Sequence, residues 1–124
     1  MNISETIIDV IRLPRKFGNL GNVSIHSLLK ATGYFENHSQ VSESAIREEL
    51  IRHPEFIQDW MLLSEDKRSN AGWYFRQDDK AGYVVGYFTQ KGDHLRQSEY
   101  SDPIDACAAF IKREIEDIRT QNKA

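Results

Sequence analysis

Hydrophobic residues in the first part of the chain recur at the spacing of an α-helix. Three isoleucines share one helical face: Ile7, Ile8 and Ile11. Ser4 precedes them and belongs to the residue types that cap helix N-termini, and Pro14 is expected to end the helix. Residues 15–22 read RKFGNLGN, and their two glycines and two asparagines predict a loop.

Three more helices are indicated before residue 66. Ser24 is expected to cap a short one that ends near Gly33 in a left-handed conformation. Ser42 is expected to begin the next helix, and Pro54 suits the first turn of the fourth. The fourth helix carries a broad apolar face that indicates a place near the core, formed by Phe56, Ile57, Trp60, Met61 and Leu63.

The hydrophobic pattern changes in the second half of the chain. Residues 72–77 and 82–89 are rich in aromatic and β-branched side chains, which predicts two strands, and a third is expected over residues 94–100. Asp102 and Pro103 then suit the cap and first turn of a last helix. Its apolar residues recur at helical spacing: Ile104, Ala108, Ile111, Ile115 and Ile118.

These elements predict an α+β fold in one domain over residues 1–124, a usual domain length. Residues 1–66 are expected to be mainly helical, residues 71–100 to form a three-stranded antiparallel β-meander, and residues 102–120 to form a long C-terminal helix packed on the sheet. A sheet has two faces, and this helix can cover only one of them.

Six of the chain's thirteen aromatic residues lie between positions 72 and 88. If residues 78–81 form the hairpin loop, Gln77 faces Gly82, and side chains then alternate between the two faces of the sheet. One face is wholly apolar and is assigned to the core: Trp73, Phe75, Val84, Gly86 and Phe88. The other face gathers Tyr74, Arg76, Tyr83, Val85 and Tyr87.

The face rich in tyrosine and arginine has three interpretations. Tyrosine and arginine are enriched in binding hot spots, so Tyr74, Arg76, Tyr83 and Tyr87 are candidate partner-binding residues. Alternatively, the N-terminal helices cover this face and the phenol groups reach its rim. A hairpin register shifted by one residue would instead change which side chains share a face.

Charge, cysteine count and the length of apolar runs disfavour several classes of protein. The formal net charge is −3, with six basic and eight acidic residues in positions 1–60 and ten against eleven in positions 61–124. Neither half is basic, which disfavours binding to nucleic acid phosphates. A single cysteine excludes an intramolecular disulfide. The first residues lack a signal-peptide pattern, and no apolar run approaches the ~20 residues that span a bilayer, so a cytoplasmic location without membrane contact is expected.

Few features of the sequence indicate catalysis. Four histidines show no metal-ligand spacing among themselves or with Cys107: His26, His38, His53 and His94. Cys107 lies among alanines and is expected to be a small core residue. We therefore expect no catalytic residues, no metal and no cofactor. An enzyme that combines carboxylates with His53 or His94 stays an alternative.

An acidic stretch follows Ser42. Its carboxylates are interspersed with Arg47 and Arg52 and comprise Glu43, Glu48, Glu49, Glu55 and Asp59. Such mixed charge is typical of a solvated helix face. The alternative is a patch that imitates an anionic substrate in front of a basic protein, which makes four of them candidate partner-binding residues: Glu48, Glu49, Glu55 and Asp59.

Over residues 42–119, the order of features resembles small bacterial immunity proteins that accompany toxins of contact-dependent growth inhibition. The features are the segment HPEFIQDWMLLSEDKRS, the strands GWYF and GYVVGYF, and the last helix in EYSDPIDACAAFIKREIE. The resemblance implies a cytoplasmic, non-catalytic binder that occludes one cognate toxin domain, often a nuclease. It assigns no site residues, because such proteins contact their toxins through variable surfaces. The alternative function is a small-ligand-binding or regulatory α+β module.

Overall fold

The structure is a computed structural model that describes residues 3–20, 24–65, 72–80, 82–88 and 94–121. Within these residues the chain forms an α+β fold with an antiparallel three-stranded sheet and a long C-terminal helix, as predicted. The elements are α1 (Ile3–Ile11), α2 (Leu13–Leu20), α3 (Ile25–Ala31), α4 (Tyr34–Asn37), α5 (Glu43–Arg52), α6 (Glu55–Glu65), β1 (Gly72–Asp78), β2 (Gly82–Phe88), β3 (His94–Tyr100) and α7 (Pro103–Gln121).

Two helix starts follow the predicted capping chemistry. The Ser24 hydroxyl accepts a hydrogen bond from the Ser27 backbone N–H at 3.1 Å, and the Ser42 hydroxyl accepts one from Ala45 at 3.0 Å. Each bond satisfies an N–H that has no partner inside its helix. Gly33 follows α3 with φ at 87°, the left-handed conformation that was expected there.

Residues 15–20 do not form the expected loop. They belong to α2, so the loop prediction is wrong over this range, and residues 21 and 22 lie outside the described residues. Pro14 lies in the first turn of α2, where a missing N–H leaves no helical hydrogen bond unmade. Pro14 therefore separates α1 from α2 and allows the helix to restart. The short helix α4 was also not predicted.

The last helix lies at the centre of the molecule. Six consecutive residues of α7, from Ala106 to Ile111, are buried, and the helix contacts α5, α6 and all three strands. A helix buried around its whole circumference must be packed on every side. The buried positions include three alanines and Cys107, whose small side chains allow the neighbouring elements to approach closely.

The sheet has the strand order β1-β2-β3, but the β1–β2 register differs by one residue from the prediction. Asp78 pairs with Gly82, Phe75 with Val85 and Tyr74 with Gly86. Local turn chemistry explains the difference.

The Asp78 carboxylate accepts a hydrogen bond from the Lys80 N–H at 3.2 Å, and Gly82 adopts φ of 92°. A glycine at positive φ is favoured where a short hairpin turn meets the returning strand, which accounts for the pairing of Gly82 with Asp78.

This register changes the composition of both sheet faces. Tyr83, Val85 and Tyr87 share the face of Trp73 and Phe75, which α7 covers. The prediction that Val84 and Gly86 face the core beside Trp73 is wrong, because both lie on the opposite face. Phe88 was also predicted to face the core, but its side chain is not among those that the structure describes.

Helix α6 joins the sheet to the N-terminal helices. The Ser64 hydroxyl accepts a hydrogen bond from the Phe75 backbone N–H at 2.8 Å, which places α6 along the edge of β1. The buried Trp60 indole N–H donates to the Ile11 carbonyl at 2.9 Å. The Ile11 carbonyl lies at the end of α1. The backbone N–H groups of Arg15 and Lys16 both donate to the Arg12 carbonyl, so the Trp60 indole supplies the donor for the Ile11 carbonyl.

Among the described helices, none has both the length and the apolar character that a bilayer-crossing helix requires.

We expect Trp60→Phe to destabilise the fold by more than the lost ring packing. The substitution leaves the buried Ile11 carbonyl without a donor, and an unsatisfied buried acceptor costs about 1–3 kcal/mol. Equilibrium urea unfolding measures this loss. Leu62→Ala, at a side chain that is 49% exposed on the same helix, is the control and is expected to change stability by less than about 0.5 kcal/mol. An equally small change for Trp60→Phe would contradict this role of the indole.

Candidate functional site

The face of the sheet opposite α7 is the candidate binding surface. It is called the sheet surface and consists of Tyr74, Arg76, Val84, Gly86 and Glu99. The helices that pack substantially on the sheet are α7, on the other face, and α6, at the edge of β1. Val84 is 2% exposed and lies outside the contiguous core cluster. Within the described residues, the sheet surface therefore has no helix packed on it.

Two cross-strand rows give the sheet surface its chemistry. In the first, Arg76, Val84 and Glu99 lie side by side on β1, β2 and β3. Arg76 and Glu99 are both exposed and Val84 is buried, so the row presents a cation and an anion on either side of a buried apolar position.

In the second row, Tyr74 lies opposite Gly86. A Cβ atom added to Gly86 would lie 2.5 Å from the Tyr74 hydroxyl oxygen and 2.7 Å from its Cζ atom, so the phenol ring lies directly across this glycine. The Arg76 guanidinium lies 5.7 Å from the centroid of the same ring. Glycine leaves room for the ring on the sheet, and the ring and guanidinium then stack as a cation–π pair.

The predicted tyrosine face is divided between the two sides of the sheet. Tyr74 and Arg76 lie on the sheet surface, whereas Tyr83 and Tyr87 lie on the α7 side, so their predicted grouping on one face is wrong. Tyr83 and Tyr87 pack partly buried against the core, 6.2 Å from the Phe75 ring and 5.3 Å from the Trp73 ring respectively. The one-residue difference in register is the whole cause.

The acidic candidates lie on α5 and α6, away from the sheet surface. Glu49 is 6% exposed and accepts a hydrogen bond from Arg52 at 3.0 Å, and Asp59 pairs with Arg15 at 2.5 Å. Glu55 lies 3.7 Å from the imidazole of His53, and Glu48 is exposed. Because Glu49 and Asp59 are paired within the chain, their charges are less available to a partner than the sequence suggested.

A polar cluster connects α4 to the second half of α7. The Tyr34 hydroxyl donates to Glu116 at 2.5 Å, and Lys112 donates to the Tyr34 hydroxyl at 2.8 Å and to the His38 carbonyl at 3.0 Å. Arg119 donates to both carboxylate oxygens of Glu116, at 2.7 and 2.9 Å. A paired guanidinium and carboxylate in this bidentate geometry form a strong, directional contact.

The contacts and burial in this cluster shift the pKa values of Glu116, Tyr34 and Lys112. Hydrogen bonds from Arg119 and Tyr34 lower the pKa of Glu116 to about 2, against the opposing effect of burial. Burial, together with the bond to Glu116, raises the pKa of Tyr34 far above its usual 10.0. Burial lowers the pKa of Lys112. General acid–base catalysis works best with a pKa near the working pH, so Glu116 and Tyr34 suit a structural role better than a catalytic one.

The described residues contain no group of three or more histidine, cysteine or acidic side chains placed to hold a metal ion. Cys107 is fully buried in α7, as expected for a core residue. Burial raises the pKa of its thiol, which disfavours the thiolate form that a nucleophile needs.

Sequence reasoning missed the Tyr34 cluster. Lys112, Glu116 and Arg119 follow one another at helical spacings that bring their side chains together. That spacing was the available signal. Nothing in the sequence indicated that Tyr34, 82 positions away, would supply the buried hydroxyl between them.

No family model matches the chain, and no curated protein or solved structure matches it.

We expect the stability of the protein to fall in acid through Glu116. The pKa of this carboxyl is about 2 in the folded chain and 4.5 ordinarily, so the unfolded chain binds the proton first as the pH is lowered. The contribution of Glu116 is complete above pH 4.5 and is lost progressively between 4.5 and about 2. Urea unfolding midpoints measured across this range should decline in the wild type, and Glu116→Gln should flatten the decline.

Glu48→Gln is the matched control, because Glu48 is an exposed carboxylate outside the cluster. It should keep the wild-type dependence on pH. An unchanged slope in Glu116→Gln would show that the Arg119 and Tyr34 contacts do not hold this carboxyl in its charged form.

Proposed function

We propose that this chain is a non-catalytic binding protein that neutralises one cognate toxin domain in the cytoplasm, and that the sheet surface is its contact face. The observation that carries the proposal is the stacked pair of Tyr74 and Arg76 on a sheet face without a described helix over it. Tyrosine and arginine are among the residues that contribute most to protein interfaces.

The construction of the sheet surface supports a preformed contact. Tyr74 is held against Gly86 and Arg76 is stacked on it, so both side chains lose less conformational freedom on binding than free ones would. Ordering side chains at an interface costs about 0.5–1.5 kcal/mol each. Because less side-chain entropy is lost on binding, the sheet surface suits the tight, long-lived binding that protection from a toxin requires.

The charges of the sheet surface indicate the character of the partner. Arg76 and Glu99 lie at opposite ends of one row, with Val84 between them. A complementary partner would place an acidic group opposite Arg76 and a basic group opposite Glu99, which fixes its orientation on the sheet. The resemblance to immunity proteins over residues 42–119 supports a toxin domain, such as a nuclease, as the partner.

Calorimetry with a folded, active toxin domain, such as one encoded next to the gene, tests the proposal. We expect one-to-one binding with a Kd of about 1 nM or tighter. Tyr74→Ala and Arg76→Ala should each weaken binding by more than ~1 kcal/mol. Gly86→Ala should also weaken it without a change of charge, because the new methyl group displaces the Tyr74 ring.

Lys30→Ala is the matched control for Arg76→Ala, since Lys30 is an exposed cation on α3. It should leave the affinity unchanged. No detectable binding to a folded, active toxin domain would contradict the proposed function. Tight binding that none of the three sheet variants weakens would instead keep the function and exclude the sheet surface as the interface.

A further inference from the structure

A shallow groove runs along the second half of α7, where this helix passes the beginning of β1. It has a volume of about 280 Å³, is open to solvent along one side, and is lined by Trp73, Lys112, Arg113, Glu116, Asp117 and Thr120. Trp73 lies on the α7 side of the sheet, so the groove and the sheet surface are on opposite faces.

Among the described residues that line this groove, Arg113 has a buried side-chain donor without an acceptor. Its guanidinium lies 5.3 Å from the centroid of the Trp73 ring, and its Nη1 atom is buried without a hydrogen-bond acceptor among the described residues. A buried donor left unsatisfied is costly, and native structures usually supply an acceptor for it. The cation–π contact with Trp73 holds the guanidinium over the ring but provides no hydrogen-bond acceptor oxygen.

The other cation of the groove is already engaged. Lys112 donates to the Tyr34 hydroxyl and to the His38 carbonyl. Glu116 likewise has both oxygens bound by Arg119. An incoming acceptor group therefore has one guanidinium to bind, that of Arg113, whose Nη1 has no acceptor among the described residues and which lies over the Trp73 indole ring.

We propose that the groove binds the carboxylate of an aspartate or glutamate side chain on a partner polypeptide, with Arg113 as its hydrogen-bonding residue and Trp73 as its apolar wall. The proposal concerns a second surface and does not depend on the sheet surface.

Charge and shape both favour this occupant. A guanidinium matches the geometry of a carboxylate or a phosphate. The Glu116 and Asp117 carboxylates lie in the same groove and repel a doubly charged phosphate more strongly than a singly charged carboxylate. Pockets for free small ligands usually enclose most of the ligand surface, whereas this groove is open along one side and suits a side chain presented by a larger molecule.

Nuclear magnetic resonance titration of the intact chain tests the proposal. The probes are a capped Leu-Glu-Leu peptide and its matched Leu-Gln-Leu control, and the reporters are the Trp73 indole N–H and the Arg113 Nε–H signals. We expect both signals to shift with the Glu peptide, at a Kd of about 1 mM, and the Gln peptide to bind at least tenfold more weakly. The buried Trp60 indole is the internal reference and should not shift.

Two charge-matched variants locate the site. Arg113→Gln should weaken binding of the Glu peptide at least tenfold, while Lys30→Gln, which removes an exposed cation from α3, should leave its affinity unchanged. Arg113→Lys keeps the charge but removes the planar donor pair, and it should bind at an intermediate level.

Three results would overturn the proposal. The first is an absence of shifts at both reporters in the wild type, and the second is equal binding of the Glu and Gln peptides. The third is tighter binding of glutarate or inorganic phosphate than of the Glu peptide, which would assign the groove to a small anion. None of these measurements uses a toxin domain, so their failure is separate from failure of the proposed function.

Discussion

The packing of α7 is the constraint on which the rest of this fold depends. Its residues from Ala106 to Ile111 are buried on all sides, between α5, α6 and the sheet. Phe110 lies 6.1 Å from the Trp60 ring and 5.7 Å from the Phe75 ring, so one side chain joins the helical half to the sheet. Small residues at the neighbouring positions allow that approach, and interiors packed at this density tolerate little added volume.

The elements of the fold were largely predictable because their signals are local. Serine caps, the change from helical to strand spacing, and the apolar stripe of α7 depend on residues that are close in sequence. The loop prediction over residues 15–20 was wrong because it also relied on local signals alone. Glycine and asparagine weaken a helix by only about 1 kcal/mol or less each, and tertiary contacts with α3 and α6 can outweigh that preference.

The candidate site was harder to predict, because it depends on a single register. Side chains alternate along a strand, so moving the pairing by one residue sends Tyr83 and Tyr87 to one face of the sheet and leaves Tyr74 on the other. The deciding feature was the positive φ of Gly82, which extends the strand pair to Asp78. Choosing the turn type from the letters DDKAG would have given the correct faces.

The same register separates the two proposed binding surfaces. Tyr74 and Trp73 are adjacent in sequence but point to opposite faces of β1, one to the sheet surface and the other to the α7 groove. A single partner contact would reach both only around the edge of β1, and α6 occupies that edge through Ser64. The sheet surface and the groove therefore suit separate contacts. A partner on the sheet would leave α7, its Tyr34 cluster and the groove in place.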